Sequence, residues 1–166
     1  MVRLPDLRRT RTVRIEMSIV HAQIRINAPV ERVWEVVMDP TRLHEWVSIH
    51  RSLESFSSGP LHKGSTMEQA LRIRGVTFRV QWTLIDVDPP RLAEWEGKGP
   101  AHSRARTRYE LTSDGDQHTL FDYTNEFKTP GGRLGVAASR VIVGGASERE
   151  AHTSLAQLMA LVERQG

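Results

Sequence analysis

The fold is decided by the stretch Val76-Thr-Phe-Arg-Val-Gln-Trp-Thr-Leu-Ile-Asp-Val87, which continues through Asp88-Pro-Pro90 to Arg91-Leu-Ala-Glu-Trp-Glu-Gly97. Its first part alternates apolar and polar residues, which is the period of a strand with one buried face. The two prolines then mark a turn, and a second strand-like run follows at once. So short a gap permits only an antiparallel hairpin, because a parallel crossover needs about a dozen or more residues.

Runs of the same kind extend in both directions along the chain. Besides this hairpin, strands are predicted at residues 18–26, 48–56, 65–74, 103–112 and 118–128, with glycine, proline and Asp-Gly turn signals between them. In the first of them, one face is made up of Val20, Ala22, Ile24 and Ile26.

Helical periodicity occupies two further parts of the chain. Pro29 suits the first helical position, and the residues at i, i+3, i+4 and i+7 after it form one apolar face, namely Val30, Val33, Trp34 and Val37. Asp39-Pro40 ends this helix, and a second short helix is predicted over 41–46. A long helix is predicted from about Arg133 to Arg164, with a stripe of Leu155, Leu158, Met159 and Val162. The order predicts an α+β, helix-grip fold in which a curved seven-stranded antiparallel sheet, two short N-terminal helices and one long C-terminal helix enclose a cavity.

The basic character of the chain is confined to its beginning. The pI is 9.8 and the formal net charge is +3, yet residues 1–16 alone carry that surplus and residues 17–166 are neutral. We therefore expect a basic N-terminal extension over residues 1–17 and one domain over 18–166, with Met17 as an alternative start. A neutral domain does not indicate nucleic-acid binding.

Composition and motifs exclude several classes of site. The chain has no cysteine, so disulfides, thiolate metal sites and a cysteine nucleophile are excluded. No apolar run approaches the ~18 residues of a membrane span, and no secretory signal is recognisable, so a cytoplasmic location is expected. Phosphate-binding glycine motifs and the nucleophile elbow are absent, and no two of the seven histidines pair at i, i+4 beside a carboxylate. No metal and no cofactor are expected.

The inward faces of the predicted strands are aromatic and apolar with a few polar members, which is the composition of a small-molecule pocket. A plain core would share most of these residues, apart from the polar ones. The ligand-binding candidates are Trp46 from the second short helix, then Met67, Gln69, Leu71, Phe78, Val80, Trp82, Trp95, Thr107, Tyr109, Tyr123 and Asn125 from the sheet, and Val141 and Gly145 from the long helix.

Three stretches together resemble the START-like, polyketide cyclase/dehydrase (SRPBCC) superfamily, whose helix-grip fold includes the birch-pollen allergen. They are Ile26-Asn-Ala-Pro-Val-Glu-Arg-Val-Trp34 with Asp39-Pro-Thr-Arg-Leu-His-Glu-Trp46, then Trp82–Trp95, and finally Tyr109-Glu-Leu-Thr-Ser-Asp-Gly-Asp116 with the strand and helix after it. The resemblance covers about residues 18–164. It implies a fold, but members include lipid carriers, receptors, cyclases and oxygenase domains, so it does not fix a function. The oxygenase branch would need an iron–sulfur module with cysteines.

Two features have competing explanations. Arg104, Arg106 and Arg108 form a stripe at strand spacing, which is either a solvated face paired with acids or a patch for an acidic partner. Gly144-Gly145 lies inside the predicted long helix and marks either a helix break or a thin place that frees volume for a ligand.

These observations favour binding, transport or sensing of a small hydrophobic ligand such as a lipid, polyketide or terpenoid. The alternative is a polyketide cyclase/dehydratase that moves protons with cavity side chains, for which Tyr109, Tyr123 and His50 are weak candidates. No acid–base pair stands out, so we lean against an enzyme. The sequence does not decide whether the protein forms a homodimer.

Overall fold

A computed structural model of the chain describes residues 16–129 and 148–165, apart from the side chain of Glu16. The strands are β1 (Glu16–Ile26), β2 (His50–Phe56), β3 (Thr66–Ile73), β4 (Val76–Asp88), β5 (Leu92–Lys98), β6 (Arg104–Ser113) and β7 (Thr119–Thr129). The α-helices are α1 (Val30–Val37), α2 (Leu43–Trp46) and α3 (Glu148–Glu163), with 3₁₀ turns at Pro40–Arg42 and Pro100–His102. None of the helices in these two ranges is long and apolar enough to cross a membrane.

The seven strands form one curved antiparallel sheet in the order β1-β7-β6-β5-β4-β3-β2. Strands β2 to β6 each pair with the next strand along the chain, as the short turns between them require. Strand β1 pairs with β7 along its whole length, from Glu16 opposite Thr129 to Ile26 opposite Thr119. The predicted fold class is confirmed.

Alternation along each strand decides which side chains face inward. In β4, Val80, Trp82 and Leu84 are buried, whereas Arg79 and Gln81, which flank Val80, are exposed. Strand β6 repeats the pattern, with Ala105, Thr107, Tyr109 and Leu111 buried. The inner face of the sheet is therefore the one that the sequence predicted.

Helix α1 begins one residue later than predicted. Pro29 is the residue before the first helical position, and its carbonyl accepts hydrogen bonds from the backbone N–H groups of Arg32 and Val33. Val36 is buried on the inward face, while Trp34 is only half-buried. The Asp39 carboxylate then accepts from the backbone N–H of Thr41 at 2.9 Å and begins the turn that leads into α2.

Helix α3 packs on β1 and α2 through the apolar stripe Ala151, Leu155, Leu158, Leu161 and Val162. Its far end is tied to the end of β1, because the backbone N–H of Asn27 donates to Oε1 of Glu163 at 2.8 Å. The predicted start of this helix near Arg133, together with Gly144-Gly145, lies outside the described residues.

Candidate ligand cavity

A cavity lies between the inner face of the sheet and helices α2 and α3. About 90 Å³ of it is available to the centre of a water molecule, within an empty space of about 790 Å³ that includes solvent at its opening. The side chains around it are mainly apolar or aromatic: Val20, Leu43, Trp46, Val47, Ile49, Met67, Gln69, Leu71, Trp82, Trp95, Thr107, Tyr109, Tyr123, Asn125, Glu150, Ala151, Ser154 and Leu155. No lysine or arginine is among these described residues.

The structure brings together around this cavity most of the residues that the sequence singled out. Ten of the fourteen ligand-binding candidates line it: Trp46, Met67, Gln69, Leu71, Trp82, Trp95, Thr107, Tyr109, Tyr123 and Asn125. Their contact with a ligand stays a prediction.

Four candidates are placed elsewhere or lie outside the described residues. Phe78 and Val80 do not line the cavity, although they share the inward face of β4. Phe78 is half-buried near the β3–β4 turn. Val80 is buried, and its side chain lies against Gly97 of β5, where an added Cβ would be 2.9 Å from its Cγ1. Val141 and Gly145 belong to the segment that the structure does not describe.

One part of the wall escaped the sequence analysis. Helix α3 contributes Glu150 and Ser154, four residues apart and therefore on one helix face. The Ser48 hydroxyl donates to Oε2 of Glu150 at 2.9 Å, and the Ser48 backbone N–H donates to Oγ of Ser154 at 3.0 Å. The only sign of this part of the wall in the sequence was that two polar residues lie beside the apolar stripe of the helix. Their partner, Ser48, is about a hundred residues away in the chain.

A chain of hydrogen bonds fixes the polar groups at one side of the cavity. The Trp82 indole Nε1–H donates to Oε1 of Gln69 at 3.0 Å, and Nε2 of Gln69 lies 2.8 Å from Nδ1 of His50. His50 itself does not line the cavity. Burial lowers the pKa of His50 from its ordinary value, and the nearby charge of His44 acts in the same direction.

A second polar cluster lies on β6 and β7. The Thr107 hydroxyl donates to Oδ1 of Asn125 at 3.3 Å, and both side chains are hydrogen-bonded to the Tyr123 hydroxyl. Burial raises the pKa of Tyr123 to about 12, against the opposing effect of these two hydrogen bonds. The hydroxyl is therefore protonated at neutral pH.

Tyr109 is at the centre of the aromatic wall. Its ring meets Trp46 edge-on with centroids 6.1 Å apart, Phe121 at 5.5 Å and Tyr123 at 6.0 Å. Burial, with a smaller effect from Tyr123, raises the pKa of Tyr109 well above its ordinary value. None of the described residues forms a hydrogen bond with its hydroxyl. Neither tyrosine is suited to act as a base here.

The arginines that could activate a tyrosine point away from the cavity. Arg104 pairs with Glu96 at 3.4 Å, Arg106 pairs with Glu94, and Arg108 pairs with Glu94 at 3.5 Å and with Glu110. The stripe is thus a solvated outer face paired with acids. On other strands, the side chains of Arg51, Arg72 and Arg79 are also exposed.

Residues 16–129 and 148–165 contain no cluster of three or more side chains suited to hold a metal ion. Among the described lining residues no two titratable side chains are hydrogen-bonded to each other. The walls are suited to contact with an apolar molecule through aromatic rings and a few hydrogen bonds. The fold and the cavity together define the class of helix-grip proteins.

The family within that class follows from comparison with known proteins. A model of the family described as "Polyketide cyclase / dehydrase and lipid transport" matches residues 17–163, and the chain belongs to this family.

Two curated relatives in Mycobacterium tuberculosis, Toxin MT0934 of strain CDC 1551 / Oshkosh and Toxin Rv0910 of strain H37Rv, are 30% identical over 83 residues. That match spans 50% of this chain and 58% of each toxin.

Several solved structures share the fold. A conserved protein from Geobacillus kaustophilus matches with a TM-score of 0.68 and 21% identity, over 89% of this chain and 96% of its own. The Zhui aromatase/cyclase from Streptomyces sp. R1128 matches with a TM-score of 0.64 and 18% identity, over 90% of this chain and 96% of its own. A point mutant of the norcoclaurine synthase of Thalictrum flavum matches with a TM-score of 0.67 and 11% identity, over 92% of this chain and 98% of its own. At these identities the likeness shows the fold alone.

Proposed function

We propose that the protein binds a small apolar molecule in the cavity between the sheet and helix α3. The observation that carries this proposal is the wall itself, where aromatic and aliphatic side chains surround an unfilled space and the few polar groups are mostly bonded to one another. Such walls stabilise a ligand mainly by removing its apolar surface from water. The family description, which includes lipid transport, agrees with this role.

Acid–base catalysis in the cavity is not part of the proposal. The Zhui aromatase/cyclase has the same fold, but fold likeness does not transfer its activity. In this chain the pKa of both cavity tyrosines is raised by burial, and the arginines of β6 bind acids on the outer face. The mycobacterial toxins match only half of the chain, and their role does not carry over to it either.

We place this binding in the cytoplasm, which subcellular fractionation would test. Both carriers and sensors of apolar molecules have a cavity of this kind. The identity of the bound molecule will distinguish these two roles.

The test combines native mass spectrometry with a neutral fluorescent probe, N-phenyl-1-naphthylamine. The protein is purified without detergent and examined for co-purifying small molecules, and the affinity of the probe is then measured for two variants of helix α3. Ala151→Phe places a ring in the cavity that Ala151 lines, while Ala156→Phe adds the same ring at an exposed position. We expect Ala151→Phe to weaken probe binding by about tenfold or more, corresponding to about 1.4 kcal/mol, and Ala156→Phe to leave it unchanged.

Circular dichroism verifies that both variants fold. Equal binding by the wild type and Ala151→Phe would place the probe outside the cavity and overturn the proposal.

A further inference from the structure

The polar groups that face the cavity differ in whether the protein supplies them with a partner. Those with partners are the side chains of Gln69, Trp82, Thr107, Tyr123, Asn125, Glu150 and Ser154. For two hydrogen-bond donors on adjoining rings, the indole N–H of Trp46 and the hydroxyl of Tyr109, the described residues supply no such partner.

Trp46 carries the stronger of the two signals. Only 1% of its surface is exposed, and its Nε1 is buried without a hydrogen-bond partner. An indole N–H can only donate, and a buried donor is normally paired because leaving it unpaired is costly. On the other side of the same cavity, Trp82 has the partner that Trp46 lacks, the amide oxygen of Gln69 at 3.0 Å. The unpaired donor therefore requires an explanation.

Tyr109 carries the second donor, on a ring that adjoins that of Trp46. The two rings meet edge-on with centroids 6.1 Å apart, and both residues line the cavity. The Tyr109 hydroxyl keeps its proton at neutral pH because burial raises its pKa. Two neighbouring donors without an acceptor are complementary to an oxygen with two lone pairs, and a carbonyl oxygen is such a group.

The charge of the wall restricts the ligand further. Glu150 is the one carboxylate among the described lining residues, and no lysine or arginine accompanies it there. An anionic ligand such as a fatty acid would be desolvated without a counter-charge and would share the cavity with Glu150. A neutral ligand avoids both costs.

From these observations we infer that the ligand is a neutral, apolar molecule with a carbonyl oxygen, which accepts hydrogen bonds from Nε1–H of Trp46 and from the hydroxyl of Tyr109. This inference rests on the proposed function, because it presupposes a ligand in the cavity. It adds the chemical class of that ligand and the two residues that select it. Asn125 is assigned no such role, since its side chain is already bonded to Thr107 and Tyr123.

A matched pair of probes tests the inference, fluorene and 9-fluorenone, which share a ring skeleton and differ by the carbonyl. Dissociation constants for both are measured by equilibrium dialysis with the wild type, Trp46→Phe and Tyr109→Phe. We expect the wild type to prefer fluorenone. Each substitution should reduce the fluorenone-to-fluorene preference by about three- to tenfold, the effect of one neutral hydrogen bond. Changes in cavity size or packing affect both probes and cancel in the ratio.

The outcomes separate the inference from the proposed function. If the wild type binds both probes and neither substitution changes their ratio, the carbonyl assignment is overturned and apolar binding stands. If neither probe binds, both proposals fail. If Trp46→Phe does not fold, β-(3-benzothienyl)alanine at position 46 keeps the ring shape while sulfur replaces the N–H group, and Tyr109→Phe provides an independent measurement. An unchanged ratio in both would again overturn the assignment.

Discussion

The indole of Trp82 on β4 donates a 3.0 Å hydrogen bond to the side-chain oxygen of Gln69 on β3. Because an indole N–H only donates, this bond fixes which end of the Gln69 amide carries the oxygen. The amide nitrogen must then face Nδ1 of His50, 2.8 Å away. Nδ1 has to accept, so His50 is neutral with its proton on Nε2. The indole of Trp82, which can only donate, thus sets the protonation state of His50 through the side chain of Gln69.

We expect Gln69→Leu to destabilise the protein by about 1–3 kcal/mol, because it leaves the Trp82 donor buried without an acceptor. The matched control is Gln81→Leu on the neighbouring strand, where the side chain is exposed and the cost should stay within about 0.5 kcal/mol. Urea unfolding of both variants gives the free energies. Equal values for the two would mean that the hydrogen bond to Trp82 contributes nothing to folding.

His50 predicts a pH dependence of stability. Its pKa in the folded protein is lowered from 6.5, first by burial and then by the charge of His44. The unfolded chain therefore binds the proton at a higher pH than the folded protein does. The contribution of His50 to stability is fully present above pH 6.5 and is lost as the pH falls from there through the lower folded value.

The control for this effect is His50→Gln, which keeps an acceptor for Gln69 but does not titrate. Urea unfolding of both proteins at pH 7.5 and pH 5.0 should show a larger loss of stability for the wild type. A loss of the same size in His50→Gln would assign the pH dependence to other groups.

Glu94 and Glu96 lie on one strand, face the same arginine stripe and differ in burial. The Glu94 side chain is 7% exposed and pairs with Arg106 and Arg108, whereas Glu96 is 46% exposed and pairs with Arg104. We expect Glu94→Gln to lower the free energy of unfolding by about 1–3 kcal/mol, since a buried carboxylate loses its charge-assisted pairing with Arg106 and Arg108. Glu96→Gln should change stability by less than about 0.5 kcal/mol, because exposed ion pairs contribute little. Thermal unfolding of the two variants side by side measures the contrast, and equal costs would show that burial of Glu94 has no energetic consequence.

Removal of residues 1–16 is expected to leave the fold intact. This segment shows no apolar periodicity, and the family match begins at residue 17. A loss of more than about 2 kcal/mol in urea unfolding would exceed an ordinary surface effect and would mean that the segment packs on the domain.

Local periodicity was enough to predict the sheet and its inward face. An alternation such as Val80, Trp82 and Leu84 against Arg79 and Gln81 leaves a strand one way to bury its apolar side, and this holds before any partner strand is known. The turns were short enough to require antiparallel neighbours. Every strand predicted from the sequence is present, with its ends within about two residues, an offset that helix and strand assignment commonly shows.

The position of a residue along that inward face could not be read from the period. Phe78, Val80 and Trp82 share one face of β4, yet of these three only Trp82 borders the cavity. Whether an inward side chain meets a void or a neighbour depends on sheet curvature and on the placement of α3 above it.

The sequence by itself therefore determined the antiparallel pairing of successive strands from β2 to β7, the inward face and the aromatic composition of the wall. Only the tertiary structure decided which polar groups find partners. Gln69 meets His50 across 19 positions and Ser48 meets Glu150 across 102, whereas Trp46 meets no acceptor among the described residues. These pairings depend on distances of about 3 Å between side chains on different elements, which are set only when the helices dock on the curved sheet.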